Sequence, residues 1–537
     1  MIIDFRQADR KEIDATLCIV GAGAAGITLG RALAGSGIPV CILESGGLEY
    51  DERIQELYDG KDAGFHDIYD LKNSRLRYFG GSTNHWVGHC APATDLDFAP
   101  RPWVPYSGWP LTKAELDPYY EAAQHLLEIG AYRYALSDFP DRYAKIPPFD
   151  PNKIVTRVWR LSPPTRFGAK YRDDLARADN VRVYLHANVV DFDTDADAKR
   201  VTAARLHTLD GERARVRAKY FVLACGGIEN ARLLLLSNRH APRGLGNAHD
   251  VVGRYYIDQL RVENAAVAAV DNEQPLAMLE GDFHRDGVRF SSLLCPSEQA
   301  QRERQTLNWA VEVSRLTDMH PWAVALRNVR DAWREGKWPD DFGKQVWAVI
   351  SDLDGVATGM YRRLQPWPLS LLARCEVAPD PENRVVLSGE RDALGQNKIE
   401  RRWRLGPREK HTIRTATRII GEELGRLGLG RVKLADWLLA DDNRWPADVI
   451  AGPHHSGTTR MASDPRRGVV DATCRVHGVE NLYVAGSSVF PAGGYTHPTL
   501  TVVALALRLA DHLRHRLEEP ITIKTPLRSP TSSAGVS

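Results

Sequence analysis

The chain has no Cys-x-x-Cys pair. Its seven cysteines (Cys18, Cys41, Cys90, Cys225, Cys295, Cys375 and Cys474) are scattered, which excludes a zinc ribbon, an iron–sulfur ligand run or a c-type haem attachment. Their odd number, with several in apolar runs, points to reduced, buried thiols and a cytoplasmic setting. Residues 1–7 contain neither an apolar signal core nor a twin arginine. No apolar run approaches the length that spans a bilayer, so no membrane span is expected. Charge of one sign is missing too. The net charge is +1 and no basic block is long enough to argue for nucleic acid. No Gly-x-Ser-x-Gly follows a strand-like run, which argues against a serine hydrolase. What remains is 43% hydrophobic and 26% charged over 537 residues, a globular composition in a chain too long for one ordinary domain.

The opening stretch carries the first chemistry. A β-rich run at 17–20 leads into Gly21-Ala22-Gly23-Ala24-Ala25-Gly26, and a helix-like stretch follows at 27–33. Gly21 permits the tight turn, Gly23 lets the backbone approach a pyrophosphate, and Gly26 allows close helix–strand packing. The helix N-terminus offers free N–H groups to phosphates. Residues 40–43 read as the second strand, and Glu44 closes it, placed to accept hydrogen bonds from an adenosine ribose. Ser45-Gly46-Gly47 follows with no arginine, so a 2′-phosphate is not favoured. The competing reading is a glycine-rich turn in an ordinary α/β domain.

Residues 51–72 form a polar excursion. In Tyr78-Phe79-Gly80-Gly81-Ser82-Thr83-Asn84-His85-Trp86, two glycines between aromatics let the backbone lie flat against something large, such as a flavin ring. His85 is either structural or bonded to that ring. A capping box, Thr112 with Glu115, starts a helix that breaks at Pro118 and runs to about 129. Residues 140–166 read as surface loop. Short strands are expected at 181–185 and 204–207. The apolar strand at 219–227, through Ala224, ends in a glycine turn before a helix from 228, a second strand–glycine–helix unit of the same parallel sheet.

From about 255 the alternation suggests antiparallel strands, and 382–388 and 399–405 add two more to that sheet. Residues 320–364 read as a tryptophan-rich helical cap, with an entrance lid or a partner surface as alternatives. A long helix is expected at 408–427. The chemistry returns in Gly452-Pro453-His454-His455, in the strand and turn at 481–488 with Gly486 and Ser487, and in Thr496-His497-Pro498-Thr499. Pro498 is expected at the first helical position of a buried helix at 500–510, whose N-terminus aims a positive dipole end at a cofactor. His454 and His455 are adjacent, point differently and lack a carboxylate cluster, so no metal is expected there. Residues 520–537 read as a disordered tail.

Taken together, the chain resembles the glucose–methanol–choline family of flavoprotein oxidoreductases. The resemblance spans about 14–513 and is strong in the nucleotide turn, the Gly80-Gly81 loop and the block 454–512. Within the family it is most similar to the pyranose-oxidase and sugar-dehydrogenase branch, through the loop ending in His85-Trp86 and the final block. The resemblance implies FAD and an α/β fold, with a Rossmann-like FAD-binding domain and a second α+β substrate domain built on a six-stranded antiparallel sheet. The expected division is FAD-binding segments at 1–100, 181–254 and 450–519, an excursion at 101–180, a substrate domain at 255–449 and the tail at 520–537.

It further implies cofactor contacts from Gly21, Gly23, Ala24, Ala25, Gly26, Glu44 and Ser45, from Gly80, Gly81, Ser82, Asn84, His85 and Trp86, and from Ala224, Gly486, Ser487, His497, Pro498 and Thr499. His454 occupies the catalytic histidine position. His497 occupies the second position, which is Asn in most sugar-oxidising relatives and His in several others. His85 falls where some pyranose oxidases attach the flavin covalently. The expected reaction is oxidation of an alcohol on a sugar, glycoside, aminoglycoside or cyclitol, with hydride passing to flavin N5. His454 is expected as base and His497 as hydroxyl partner, with the roles open to exchange. The electron acceptor is oxygen or a redox partner. Alternatives are aryl, aliphatic or sterol alcohols, a lyase on the same scaffold, and a non-catalytic flavoprotein subunit.

Overall fold

The computed structural model describes residues 1–8, 12–65, 70–135, 138–143, 146–270, 276, 279–315, 321–334, 338–339, 341–354, 356, 368–446 and 449–518; the tail expected at 520–537 lies outside them. Strand Glu12–Val20 is the centre of the first sheet. It runs parallel to Val40–Leu43, pairing Cys18 with Cys41, and to Arg213–Leu223, pairing Cys18 with Phe221. Ile2–Asp4 and Val181–Leu185 extend the parallel part on one side, and Leu482–Val484 joins Arg213–Leu223 from the far end of the chain. Val201–His207 and Asn188–Thr194 complete the sheet as antiparallel returns. Leu17, Cys18, Ile19, Ile42, Phe221 and Val222 are buried, because a parallel sheet covered on both faces needs continuous apolar runs.

Helix Thr499–Glu518 lies against Ala24–Ala32 and against Lys113–Leu127. Pro498 does not take the first helical position; it precedes the helix, and its carbonyl accepts the Val502 N–H at 2.8 Å. Helix Lys113–Leu127 starts on the Thr112–Glu115 box but does not break at Pro118. The lost N–H costs one bond, while Leu116, Tyr120, Ala123 and Leu127 are fully buried on one stripe and the Tyr120 hydroxyl meets Thr501 at 2.9 Å. Packing overrides the local penalty.

The second sheet is antiparallel and wider than six strands. Its order is Gly430–Leu434, Ile257–Val270, Pro368–Glu376, Trp309–Arg315, Val288–Pro296, Ile154–Leu161 and His89–Cys90. Asp282–Arg285 and Ile450–Ser456 pair beside this path. Ile154–Leu161 corrects the surface loop expected at 140–166. It is buried along most of its length and pairs throughout with Val288–Pro296; the prolines and basic residues around it hid that run. Helix Pro407–Arg426 covers one face of this sheet through Ile413, Ala416, Ile420 and Leu424.

The strands expected at 382–388 and 399–405 form, as Arg384–Arg391 and Asn397–Trp403, but not in this sheet. They make a separate three-stranded sheet with Gly60–Gly64, inside the stretch read as a polar excursion. Gly64 makes this pairing feasible, since a Cβ there would sit 2.2 Å from the Trp403 carbonyl oxygen.

Within 320–364, helices Pro321–Arg334 and Phe342–Ile350 pack on each other. Trp322 and Ala325 are buried, whereas Trp333, Trp338 and Trp347 are exposed. No helix among the described residues is long and apolar enough to cross a membrane.

Candidate active site

Three glycine turns meet at the carboxyl ends of the parallel strands. Gly21 has φ +101°, and a Cβ there would lie 2.6 Å from the Ala224 carbonyl oxygen; at Gly26 it would lie 1.9 Å from that of Gly21. Both positions therefore exclude a side chain for reasons internal to the fold. Gly23 differs, because a Cβ there would meet no protein atom within 4 Å, and the same holds at Gly226 and Gly486. The backbone is thus open on the sides facing away from the packing. Ala24 and Ala25 form the first turn of the helix that begins there.

Glu44 is buried and its carboxylate spans the turn, accepting N–H bonds from Ala22 at 2.8 Å and Gly46 at 3.0 Å. Burial raises its pKa, against the pull of those bonds, Arg77 and the Ser45 N–H. The Gly80 N–H donates to the Ala22 carbonyl at 2.8 Å, and a Cβ on Gly81 would come within 3.1 Å of Gly23 Cα. The second glycine loop therefore docks on the first. Asn84 donates to the Phe79 carbonyl and Trp86 to that of Thr165, so both side chains are spent on holding the loop. Ser82 and His85 are exposed.

The C-terminal block is laced into the same place. Ala224 donates to the Val20 carbonyl and Ala485 to that of Leu223. The Asn230 side chain accepts from Cys225 N–H and donates to the Ala485 carbonyl and Ser488 hydroxyl. Ser487 donates to the His455 carbonyl at 2.6 Å, which carries the tie onward to the strand bearing the histidines.

That strand, Ile450–Ser456, belongs to the antiparallel sheet. It brings His454 to His497, with ring centroids 4.6 Å apart at 40°. His89 and Trp159 complete a group of four rings, His89 at 5.1 Å from His497 and Trp159 at 4.9 Å from both. Loss of hydration is the main cause that lowers the pKa of His454 to about 3 and of His89 to about 4, and it pushes His497 well down. Arg374 adds to the shift at all three. The rings are therefore neutral at ordinary pH. A small cavity beside His454 is lined by Gln259, Ser456, Phe490, Gly494, Thr496 and Pro498, among others.

His455 points elsewhere. Its Nε2 has no hydrogen-bond partner among the described residues and lies 4.0 Å from an Asp258 oxygen. Asp258 is buried and accepts from the His454 N–H at 3.0 Å, the Gln259 N–H at 2.8 Å and the Tyr256 hydroxyl at 2.8 Å. Burial raises it to about 7. Sequence reasoning missed His89, Trp159 and Asp258. None sits in a motif, and Trp159 lies in the stretch read as loop.

Two family models match the chain: "GMC oxidoreductase" over residues 379–506 and "FAD dependent oxidoreductase" over residues 16–246. Pyranose 2-oxidase of Tricholoma matsutake is 41% identical over a match covering 81% of this chain and 72% of its own. The fructose dehydrogenase large subunit of Gluconobacter japonicus is 24% identical over 94% and 99%. Among solved structures, formate oxidase shares the fold with a TM-score of 0.55, at 17% identity over 94% of this chain and 99% of its own. The chain belongs to the glucose–methanol–choline (GMC) oxidoreductase family and is an FAD-dependent oxidoreductase acting on CH–OH groups.

Proposed function

We propose that the enzyme oxidises a primary or secondary alcohol of a sugar, glycoside, aminoglycoside or cyclitol, with His454 taking the hydroxyl proton and His497 hydrogen-bonding the same oxygen. The observation that carries this reading is the pair of neutral rings 4.6 Å apart. A neutral imidazole offers one lone pair for a proton and one N–H for a developing alkoxide. The open backbone at Gly23, Gly226 and Gly486 fits a cofactor with an extended phosphate chain. Gly21 to Gly26 and the helix N-terminus at Ala24 and Ala25 would hold the pyrophosphate. Glu44, with Ser45 beside it, would hold the ribose. The Gly80-Gly81 loop through Trp86, with Ala224, Gly486, Ser487, His497, Pro498 and Thr499, would frame the ring system. Bound FAD supplies the hydride acceptor.

The same pair of neutral rings serves equally with the roles exchanged, His497 as base and His454 as hydroxyl partner. His497→Asn separates the two cases. With His454 as base, Asn still donates to the hydroxyl and flavin reduction stays within about tenfold of wild type, while His454→Ala loses about 10²–10⁴-fold. With His497 as base, the Asn variant takes that loss instead. The measurement is anaerobic bleaching of the flavin by a panel of sugars, aminoglycosides and simple alcohols. Admitting air then reports whether oxygen accepts the electrons. A bound flavin that no alcohol bleaches overturns the proposal.

A further inference from the structure

Alternation along the antiparallel strands sends Leu260, Val262, Val311, Leu371 and Ala373 into the core and their neighbours to the opposite face. On that opposite face, three adjacent strands carry Arg261, Arg374 and Glu312, none of which the reading of His454 and His497 uses. Arg261 and Arg374 are direct cross-strand partners, as are Arg374 and Ala310, which puts Glu312 two residues along the third strand. The Arg374 guanidinium lies 4.9 Å from the Trp159 ring centre, and that ring packs on His497. Arg374 Nε donates to Glu312 Oε1 at 2.5 Å.

The rest of this polar set is idle. Arg374 is only 9% exposed, yet among the described residues its terminal NH groups have no partner, and neither has the second Glu312 oxygen. Arg261 pairs with Glu263 at 2.7 Å and leaves a buried Nε unpartnered. Of these atoms the Arg261 Nε is sealed from solvent and unpartnered, which is costly, whereas the free Arg374 and Glu312 atoms keep solvent access and are open to an incoming ligand. Adjacent hydroxyls match the set, since a planar guanidinium donates in a fork and a carboxylate oxygen accepts. Arg374 pairs with Glu312 and Arg261 with Glu263, so a ligand with no net charge leaves both pairs intact. At His454 and His497 the charge felt from this group is that of Arg374, which lowers both and disfavours an ammonium beside them.

We infer that Arg374, Glu312 and Arg261 form a hydroxyl-recognising subsite that selects a neutral polyol, a sugar or cyclitol, and disfavours amino sugars charged beside the oxidised carbon. This rests on, and narrows, the reading of His454 and His497 as the reacting pair. The test uses the FAD-loaded enzyme with glucose, fructose, myo-inositol, glucosamine below its amine pKa, and 1-butanol. Wild type oxidises at least one neutral polyol with a higher kcat/KM than butanol or glucosamine. Arg374→Gln and Glu312→Gln each raise the KM for that polyol by about tenfold more than for butanol. Arg374→Lys keeps the exclusion of glucosamine but not the polyol affinity, because it retains the charge and loses the fork. Equal losses for polyol and butanol, or a wild type that prefers glucosamine, overturn the subsite. His454→Ala and His497→Ala variants that both reduce flavin at the wild-type rate overturn the underlying reading instead.

Discussion

Asp258 positions His454, the residue proposed as base, through its main chain. Its carboxyl collects the His454 and Gln259 N–H groups and the Tyr256 hydroxyl. Tyr256 in turn accepts from Arg401, whose Nε reaches Asp62 in the small sheet. With its pKa near 7, the group is protonated in a substantial fraction of molecules at neutral pH. Asn copies that neutral form in size. Asp258→Asn is therefore expected to fold with little loss. Asp258→Ala orphans three buried donors at about 1–3 kcal/mol each and lowers the melting temperature by several degrees. Thermal melts of the two variants check this, and equal Tm values for Asn and Ala would refute it. At this scale His454 and His497 are legible in the sequence because they sit in dense local motifs. Asp258, His89 and Trp159 are not, because only strand pairing brings them to the rings.

Each glycine turn mixes two kinds of constraint, and single substitutions separate them. At Gly26 a Cβ collides with the Gly21 carbonyl, whereas at Gly23 it meets nothing and the backbone has an ordinary negative φ of −83°. Gly26→Ala is expected to disturb the seat of helix Ala24–Ala32 and to lower both stability and FAD retention. Gly23→Ala is expected to leave the Tm of the FAD-free protein unchanged and to weaken FAD by about tenfold or more, since on the proposed reading the pyrophosphate would approach the open side. FAD titration beside melts of the stripped protein measures both. A Gly23→Ala variant with unaltered FAD affinity removes that glycine from the cofactor site. The strand–turn–helix units at 17–33 and 219–236 are legible because turn chemistry and periodicity are local. Ile154–Leu161 and Gly60–Gly64 are not, since each is held by partners more than a hundred residues away and lies among prolines, glycines or charges that hide its own signal.

Neither sheet makes the site alone. The parallel sheet supplies the glycine turns, and the antiparallel sheet supplies His454, His89 and Trp159, so the His454 and His497 rings lie where the two layers meet. That position has a consequence for the whole molecule. His89, His454, His455 and His497 all have pKa values pushed below the ordinary 6.5 by burial. Below pH 6.5 the unfolded chain binds protons at these four positions that the folded chain refuses. Stability therefore falls on acidification, by about 1.4 kcal/mol per pH unit for each such histidine, until the folded-state pKa is reached. Asp258 acts in the opposite sense. Its unfolded form ionises near 3.8 and its folded form near 7, so its contribution falls as pH rises through that window. Burial raises Glu44, Asp97, Asp191 and Glu409 in the same sense as Asp258 and lowers His85, His186, His207 and His512 in the same sense as the four rings. Eight histidines outweigh five carboxyls, and the net slope from about pH 6.5 down to about pH 4 is a loss. Melts of the FAD-loaded enzyme should show Tm dropping steadily across that range. His89→Gln should flatten the drop by one histidine's share, because Gln has no proton to take up. A Tm that holds or rises on acidification would mean that these rings are charged in the folded protein, and His454 would then lack the lone pair that a base requires.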